Sequence, residues 1–413
     1  MPVKRTYMSK VSSSAIDPAT RQALLHLSFA TFASMTIQRL CDPMLPELSQ
    51  TFQVSRSQAA QVISYFAVTY GLMQIFFGPL GDKYGKYKVL AWATVGCSVG
   101  CFGSAFAYDL PFLVFCRVLT ATCTAAIIPL GLAWVGDSVD YTVRQATLAQ
   151  VGLGSTMGIV AGQLFGGLIT DTLGWRWAFG LVGILFFIVG CVLLRNPIAK
   201  LQHELSHGPH GERSLSFFKN AAHVFAKQRP RRILFCICLE GTFVFGAIAV
   251  SATHLHDHHA LAVSWAGAIV SLFGIGGVVY MALASWLIPR LGESGLVRVG
   301  ALSFGLSYGI IGFSPHWFCD VLAFMGAGFG FFMFHNTMQV HATQMAPEVR
   351  GTCMALFAAI LFAGQSVGVL VCAALTAYIS SSWVLLLMGL SLTILGWALP
   401  VLIDPKKMRP TSA

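Results

Sequence analysis

The stretch from Gly78 to Leu90 reads GPLGDKYGKYKVL and sets four charges, three glycines and a proline between two long apolar segments. Its meaning depends on what surrounds it. The chain of 413 residues is 56% hydrophobic and 10% charged, with a mean hydropathy of +0.71, whereas a soluble globular domain carries roughly 25% charged residues. That composition belongs to a membrane protein. A run of about 20 apolar residues crosses about 30 Å of hydrocarbon as a helix. Such runs recur at 22–48, 58–80, 88–108, 110–135, 148–172 and 175–195, and again at 232–254, 263–288, 295–314, 317–345, 352–378 and 381–402. The pattern predicts an all-α membrane protein with twelve transmembrane helices in two pseudo-symmetric six-helix bundles, residues 1–195 and 232–413, joined by a cytoplasmic linker at 196–231.

Lys and Arg beside a span tend to stay in the cytoplasm. With both termini inside, 22 of the 26 basic residues fall in inner segments, Arg56 and Arg176 fall outside, and Arg39 and Arg117 lie within spans. The inverted topology would put nearly all of them on the wrong side. Trp175, Trp177, Trp265, Trp317 and Trp383 sit near outer ends and Trp92, Trp134, Trp286 and Trp397 near inner ends, as an interfacial belt requires. The net charge of +10 is thus a consequence of topology and implies no nucleic-acid partner. The expected partners are the lipid bilayer of a cell membrane, a bacterial inner membrane, and a small-molecule substrate, with the protein acting as a monomer. The opening MPVKRTYMSK lacks the short apolar core and cleavage site of a signal peptide, so no removal is expected. The eleven cysteines are scattered, mostly within spans, and read as small packing residues without disulfide or zinc spacing.

Within the linker, SLSFFKNAAHVFAKQ puts Phe217, Phe218, Ala221, Val224 and Phe225 on one side at helical spacing, which predicts a short helix on the inner membrane surface. His203, His207 and His210 read either as a metal site or, more simply, as part of a solvated linker. The outer run HLHDHH, His254 to His259, has zinc-binding residue types, but a flexible run does not guarantee four ligands in a tetrahedron. No metal or other cofactor is therefore expected. With no Walker loop, paired-carboxylate hydrolase motif or catalytic serine arrangement, an enzyme is not expected.

The halves resemble each other. AGQLFG (Ala161 to Gly166) in the fifth span and AGQSVG (Ala363 to Gly368) in the eleventh each follow a Val-Arg pair, Val143-Arg144 and Val349-Arg350. A duplicated six-helix unit, with a binding site near the membrane midplane, accounts for this. GPLGDKYGKYKVL then falls in the inner loop between the second and third spans, where it resembles the loop signature of the major facilitator superfamily, G-x-L-x-D-[RK]-x-G-[RK]. The matching positions are Gly78, Leu80, Asp82, Lys83, Gly85 and Lys86, while Tyr87 stands where a basic residue is usual; IPRLGESG, Ile288 to Gly295, is similar to a degenerate second copy. The resemblance implies the major facilitator fold and secondary transport by alternating access. It also implies that Gly78, Asp82, Gly85 and Lys86 form a latch. Asp82 would meet Lys86 and the positive end of the eleventh helix near Gly351, holding the outward-open state and releasing it when the cavity turns inward. The alternative, charges that only fix topology, explains the lysines and not the Asp-glycine pattern.

The fourth span carries RVLTATCTAAIIP, Arg117 to Pro129, and the first carries QRLCDPMLP, in which Asp42 precedes Pro46 by four residues, similar to the D-x-x-x-P of drug/proton antiporters in the superfamily. An arginine in a span costs on the order of 2.5 to 3.5 kcal/mol, so Arg117 must face a cavity or a partner. Asp42 is the candidate partner, with Arg39 three residues before it on the same helix face; structural pairing without transport chemistry is the other reading. Glu240 and His335 each lie roughly 12 to 15 Å from the inner surface at about 1.5 Å per residue. The superfamily architecture puts spans one, four, seven and ten around the cavity, so the two are expected to meet. They would form a proton-carrying pair, histidine changing charge near neutral pH, or a purely structural hydrogen bond. His341 is expected at the interface.

In the fifth span the antiporter signature G-x-x-x-G-P-x-x-G-G appears as Gly158, Gly162, Gly166 and Gly167 with Gln163 in place of proline, which puts the helix kink in doubt. Gln163 and Gln365 read as donors to substrate or to backbone. Two arginines against one aspartate leave a positive excess that suits an organic anion. The expected function is proton-coupled export of a small amphipathic or anionic compound. Proton-coupled uptake of an organic acid or other metabolite, and a non-transporting membrane receptor, are the alternatives.

Overall fold

The computed structural model describes residues 18–139, 141–196 and 213–403; His203, His207, His210 and the first basic segment lie outside the described residues. The first span runs from Pro18 to Arg39, breaks for five residues and resumes at Leu45–Thr51, followed by a short helix at Arg56–Ala59. The second span is Gln61–Tyr84, the third Lys86–Ala105, the fourth Leu110–Thr124 continued as Ile127–Ser138, the fifth Tyr141–Leu173 and the sixth Trp175–Arg195. After a separate helix at Arg213–Ala226 come the seventh span, Gln228–His259, and the run Val263–Phe313, which Gly292 (φ 61°, ψ 174°) divides into the eighth and ninth. The tenth is Trp317–Gln344, the eleventh Arg350–Leu375 and the twelfth Ser381–Ile403. Among the described residues this is an all-helical fold of twelve crossings.

Local chemistry sets several of these boundaries. Asp109 accepts a hydrogen bond from the Phe112 amide at 2.8 Å and so caps the fourth span, with a proline in its first turn. Gly85 turns the second span into the third at φ 91°, a conformation only glycine adopts without strain. In the similar second copy the turn falls on Gly292 rather than on Gly295, so the two loops bend at different places. The fifth helix is continuous through Gln163, because no proline interrupts its hydrogen-bond ladder.

With no water to drive them together, membrane helices associate through close backbone contact at small residues. A Cβ on Gly162 would lie 2.6 Å from the Thr36 carbonyl oxygen, and one on Gly166 2.4 Å from that of Leu40. In the other half Gly364 and Gly368 lie equally tight against the Cys238 and Thr242 carbonyls, at 2.1 Å each. Each residue of the second joint lies 202 positions after its counterpart in the first, so the AGQ repeats build one helix joint twice. On the same shift Glu240 is the counterpart of Gln38.

The end of the bundle carrying Gly85 and Arg350 is called inner here, after its basic residues, and the opposite end outer. Between the halves, the second span meets the eleventh and the fifth meets the eighth. Ser64 Oγ and Ser366 Oγ are 2.6 Å apart, and the Tyr70 ring stands edge-on to Phe362 at 4.7 Å. Gly167 abuts the Val263 carbonyl and Gly267 that of Gln163, leaving 2.5 Å for a Cβ at each. At the outer end Arg56 makes two hydrogen bonds to the Asp257 carboxylate, and Asp171 Oδ2 accepts from the Ser264 amide at 2.5 Å. Toward the inner end Gly78 and Gly351 face open space. The outer end is closed.

The helix Arg213–Ala226 divides its apolar residues where a single stripe is expected. Val224 is buried in the second half with Phe217 and Ala221 packed beside it, while Phe218 and Phe225 are exposed. Lys227 Nζ and His223 Nε2 reach Glu348 Oε1 at 2.5 and 3.2 Å, tying the end of this helix to the turn before the eleventh span.

Candidate functional site

A cavity of about 160 Å³ lies between the two halves. Its walls come from the first span (Met35, Gln38, Arg39), the fifth (Ile159, Gln163), the seventh (Phe245, Ile248), the eighth (Val270, Phe273), the tenth (Phe331, Phe332, His335) and the eleventh (Leu361, Phe362). Arg39, Gln163 and His335 therefore line it. Asp42 and Glu240 are fully buried and bonded to lining residues, whereas Arg117 and Gln365 do not line it.

In the first half, Pro43 cannot donate a backbone hydrogen bond and the first helix ends at Arg39. The turn that follows carries Asp42 to the fifth span, where its Oδ2 accepts from Gln163 Nε2 at 2.7 Å. Arg39 Nη1 is 3.7 Å from the same oxygen. Gln163, standing where the signature has proline, thus binds a carboxylate instead of kinking a helix. The Arg39 guanidinium also lies 4.4 Å from the Phe245 ring centre, a cation–π contact across the two halves.

Arg117 corrects the expectation that it pairs with Asp42. Its Nη1 donates to the Ile37 carbonyl at 2.9 Å and its Nε to the Val62 carbonyl at 3.2 Å, with the guanidinium 4.0 Å from the Phe66 ring centre. The physical reason is the helix break. Ile37 is among the last four residues of its helix, whose carbonyls lack an intrahelical donor, and Arg117 supplies one. The side chain holds the first, second and fourth spans together and is fully buried behind the cavity.

In the second half, His335 Nδ1 and Glu240 Oε1 are 2.7 Å apart, joining the tenth span to the seventh. The imidazole stacks on Phe331 at 5.0 Å and keeps part of its surface open, while the carboxylate is wholly enclosed. Gln365 is buried against Gly241 of the seventh span. Around the Gly85 loop, Lys86 is 3.7 Å from Asp82 and forms a closer ion pair with Asp137 at the end of the fourth span. His341 Nε2 is 3.8 Å from Glu293. The outer histidines disperse: His254 bonds Ser381 Oγ at 2.8 Å and the Ile311 carbonyl at 3.0 Å, His256 the Leu261 carbonyl at 2.7 Å, and His259 approaches Asp320 at 2.9 Å. Among the described residues no three His, Cys, Asp or Glu converge as metal ligands.

Sequence reasoning missed the phenylalanine walls, Gln38, and the Arg56–Asp257 closure. The aromatics carried no signal beyond general apolarity. Arg56 did, being one of two basic residues on the wrong side for the charge rule. The other, Arg176, donates to the Ala107 carbonyl at 3.0 Å.

Two six-helix bundles with a small charged cavity between them, shut at one end, have the form of an alternating-access carrier. Residues 27–369 match the family model of the Major Facilitator Superfamily, and the chain belongs to that superfamily. It is a multi-pass membrane transporter of the secondary type and not an enzyme. It is 25% identical over 342 residues to the uncharacterized MFS-type transporter YceJ of Bacillus subtilis (strain 168), covering 80% of this chain and 83% of YceJ. It is also 25% identical over 153 residues to the multidrug export protein EmrB of Escherichia coli (strain K12), covering 37% of this chain and 30% of EmrB. The fold is similar to the crystal structure of the nucleoside transporter NupG, with a TM-score of 0.74 at 16% identity over 92% of this chain and 99% of that one.

Proposed function

We propose that the protein exports a small amphipathic or anionic organic compound in exchange for protons, with both termini cytoplasmic and the monomer as the transporting unit. The observation that carries the coupling is the 2.7 Å contact between His335 and Glu240 at the cavity wall. A buried carboxylate must be paired or neutralised, and the imidazole nitrogen beside it is the group that pairs with it. Proton arrival at this pair alters the charge of a wall that spans the seventh and tenth helices. Substrate and proton then bias the same two bundles. Asp42, with Arg39 and Gln163 as partners, is the corresponding carboxylate of the first half. Export is favoured over uptake by the partial likeness to EmrB, whose name is that of a multidrug exporter.

The test is flux in proteoliposomes under an imposed pH gradient, screened against metabolites and antibiotics. Glu240→Gln is expected to abolish gradient-driven transport while substrate exchange continues, since exchange need not move a proton, and His335→Ala is expected to share the defect. Normal gradient-driven flux in both variants would remove the pair from coupling and leave Asp42 alone to carry it. Movement of the substrate down the proton gradient in the same direction as the proton would assign uptake instead.

A further inference from the structure

We infer that the cavity takes a flat aromatic monoanion of one or two rings, its carboxylate on the Arg39 guanidinium and its ring among Phe245, Phe331 and Phe332. This deepens the transporter reading above and rests on it. Arg39 is only 5% exposed, yet its nearest carboxylate oxygen is 3.7 Å away and already accepts from Gln163 at 2.7 Å. The planar fork therefore borders the cavity with donors unfilled. Gln38, the preceding residue, lines the same wall, is 2% exposed, and has an amide nitrogen without an acceptor. A buried guanidinium is strongly favoured by a carboxylate that can accept two parallel hydrogen bonds.

The same wall argues against a cation. Asp42 Oδ2 is bonded by Gln163 and Glu240 Oε1 by His335, and although Asp42 Oδ1 and Glu240 Oε2 are left without a partner, neither carboxylate lines the cavity. An entering ammonium group would meet Arg39 first. The shape of the remaining surface selects a ring. Phe331 stands edge-on to Phe245 at 5.6 Å and to Phe332 at 5.2 Å, so the walls offer faces and edges at the angles aromatic pairs prefer. Size favours a small molecule in this state: about 160 Å³ is well below the roughly 300 Å³ at which drug-sized pockets begin. A second negative charge would lie among phenylalanines without a partner.

The experiment is equilibrium binding to the full chain in lipid nanodiscs, by calorimetry, with a matched series: 2-naphthoate, 2-naphthamide, 2-naphthylmethylammonium and 2,6-naphthalenedicarboxylate. Naphthoate is expected to bind at least about tenfold more tightly than each of the others, a difference of about 1.4 kcal/mol. Arg39→Lys is expected to lose about tenfold or more for naphthoate, because lysine keeps the charge and loses the fork, and Phe332→Leu is expected to weaken naphthoate with the thermal midpoint held. Absence of naphthoate binding at millimolar concentration, equal or tighter binding of the ammonium compound, or unchanged naphthoate affinity in Arg39→Lys would each overturn the inference. No gradient and no flux enter this measurement. A failure of proton coupling in the Glu240→Gln experiment therefore leaves it intact, and its own failure leaves proton-coupled transport intact.

Discussion

Two residues of the same kind, Arg39 and Arg117, have opposite surroundings because of the helix break after Arg39. Arg39 is left at the cavity wall with unfilled donors. Arg117 is drawn to the carbonyl of Ile37, which the ended helix leaves without a partner, and to that of Val62. Arg117→Lys is accordingly expected to lower stability by about 1–3 kcal/mol, the consequence of leaving a buried carbonyl unsatisfied. Substrate affinity of the folded fraction should stay within about twofold, since about 0.4 kcal/mol is all that such a change represents. Thermal unfolding in detergent and binding to the folded fraction, measured on one preparation, check both. A large affinity loss at unchanged stability would return Arg117 to the substrate. The meeting of Glu240 and His335 was legible in the sequence because both helices are unbroken there, so distance along the chain converts directly into depth. The partner of Arg117 was not legible, since a five-residue turn carries Asp42 to another helix.

At the level of elements, the structure is two copies of one joint, the fifth span on the first and the eleventh on the seventh, held by bare glycine backbone against carbonyl oxygens. A side chain on Gly162 would strike the Thr36 carbonyl at 2.6 Å and Arg39 Cβ at 2.8 Å. Gly162→Val is expected to force the first and fifth spans apart, at about 1–3 kcal/mol for overpacking, and to displace Arg39 with them. Reduced folded yield together with weaker ligand binding is the expected result. A variant that folds and binds as the parent does would show the joint to be looser than drawn. The repeat was visible as AGQ in both spans, but which helix each copy packs on was not. Apolar periodicity is nearly uniform around these helices, and only small residues at matching heights select the partner.

For the whole molecule, the proposed transport rests on a balance between two closures. The outer closure joins Arg56 of the first half to Asp257 of the second, and Asp171 of the first to the Ser264 amide of the second. The inner closure expected around Asp82 and Gly351 belongs to the opposite state. Arg56→Gln is expected to raise the outward-open population by up to about fivefold, the limit of an exposed pair worth about 1 kcal/mol. Asp82→Asn is expected to shift it the other way. Spin-label distances across each end, measured in both variants, decide the matter: shifts in the same direction, or none, would deny that the two ends compete. The number of crossings and the duplicated plan were both legible in the sequence alone. Each follows from local properties, since the bilayer reads hydropathy and charge segment by segment. Only the tertiary structure decided which end is shut, which buried charges meet, and which residues enclose the cavity. Those depend on where one rigid bundle sits against the other and on a turn that redirects a single carboxylate, and neither is written in the periodicity of any one helix.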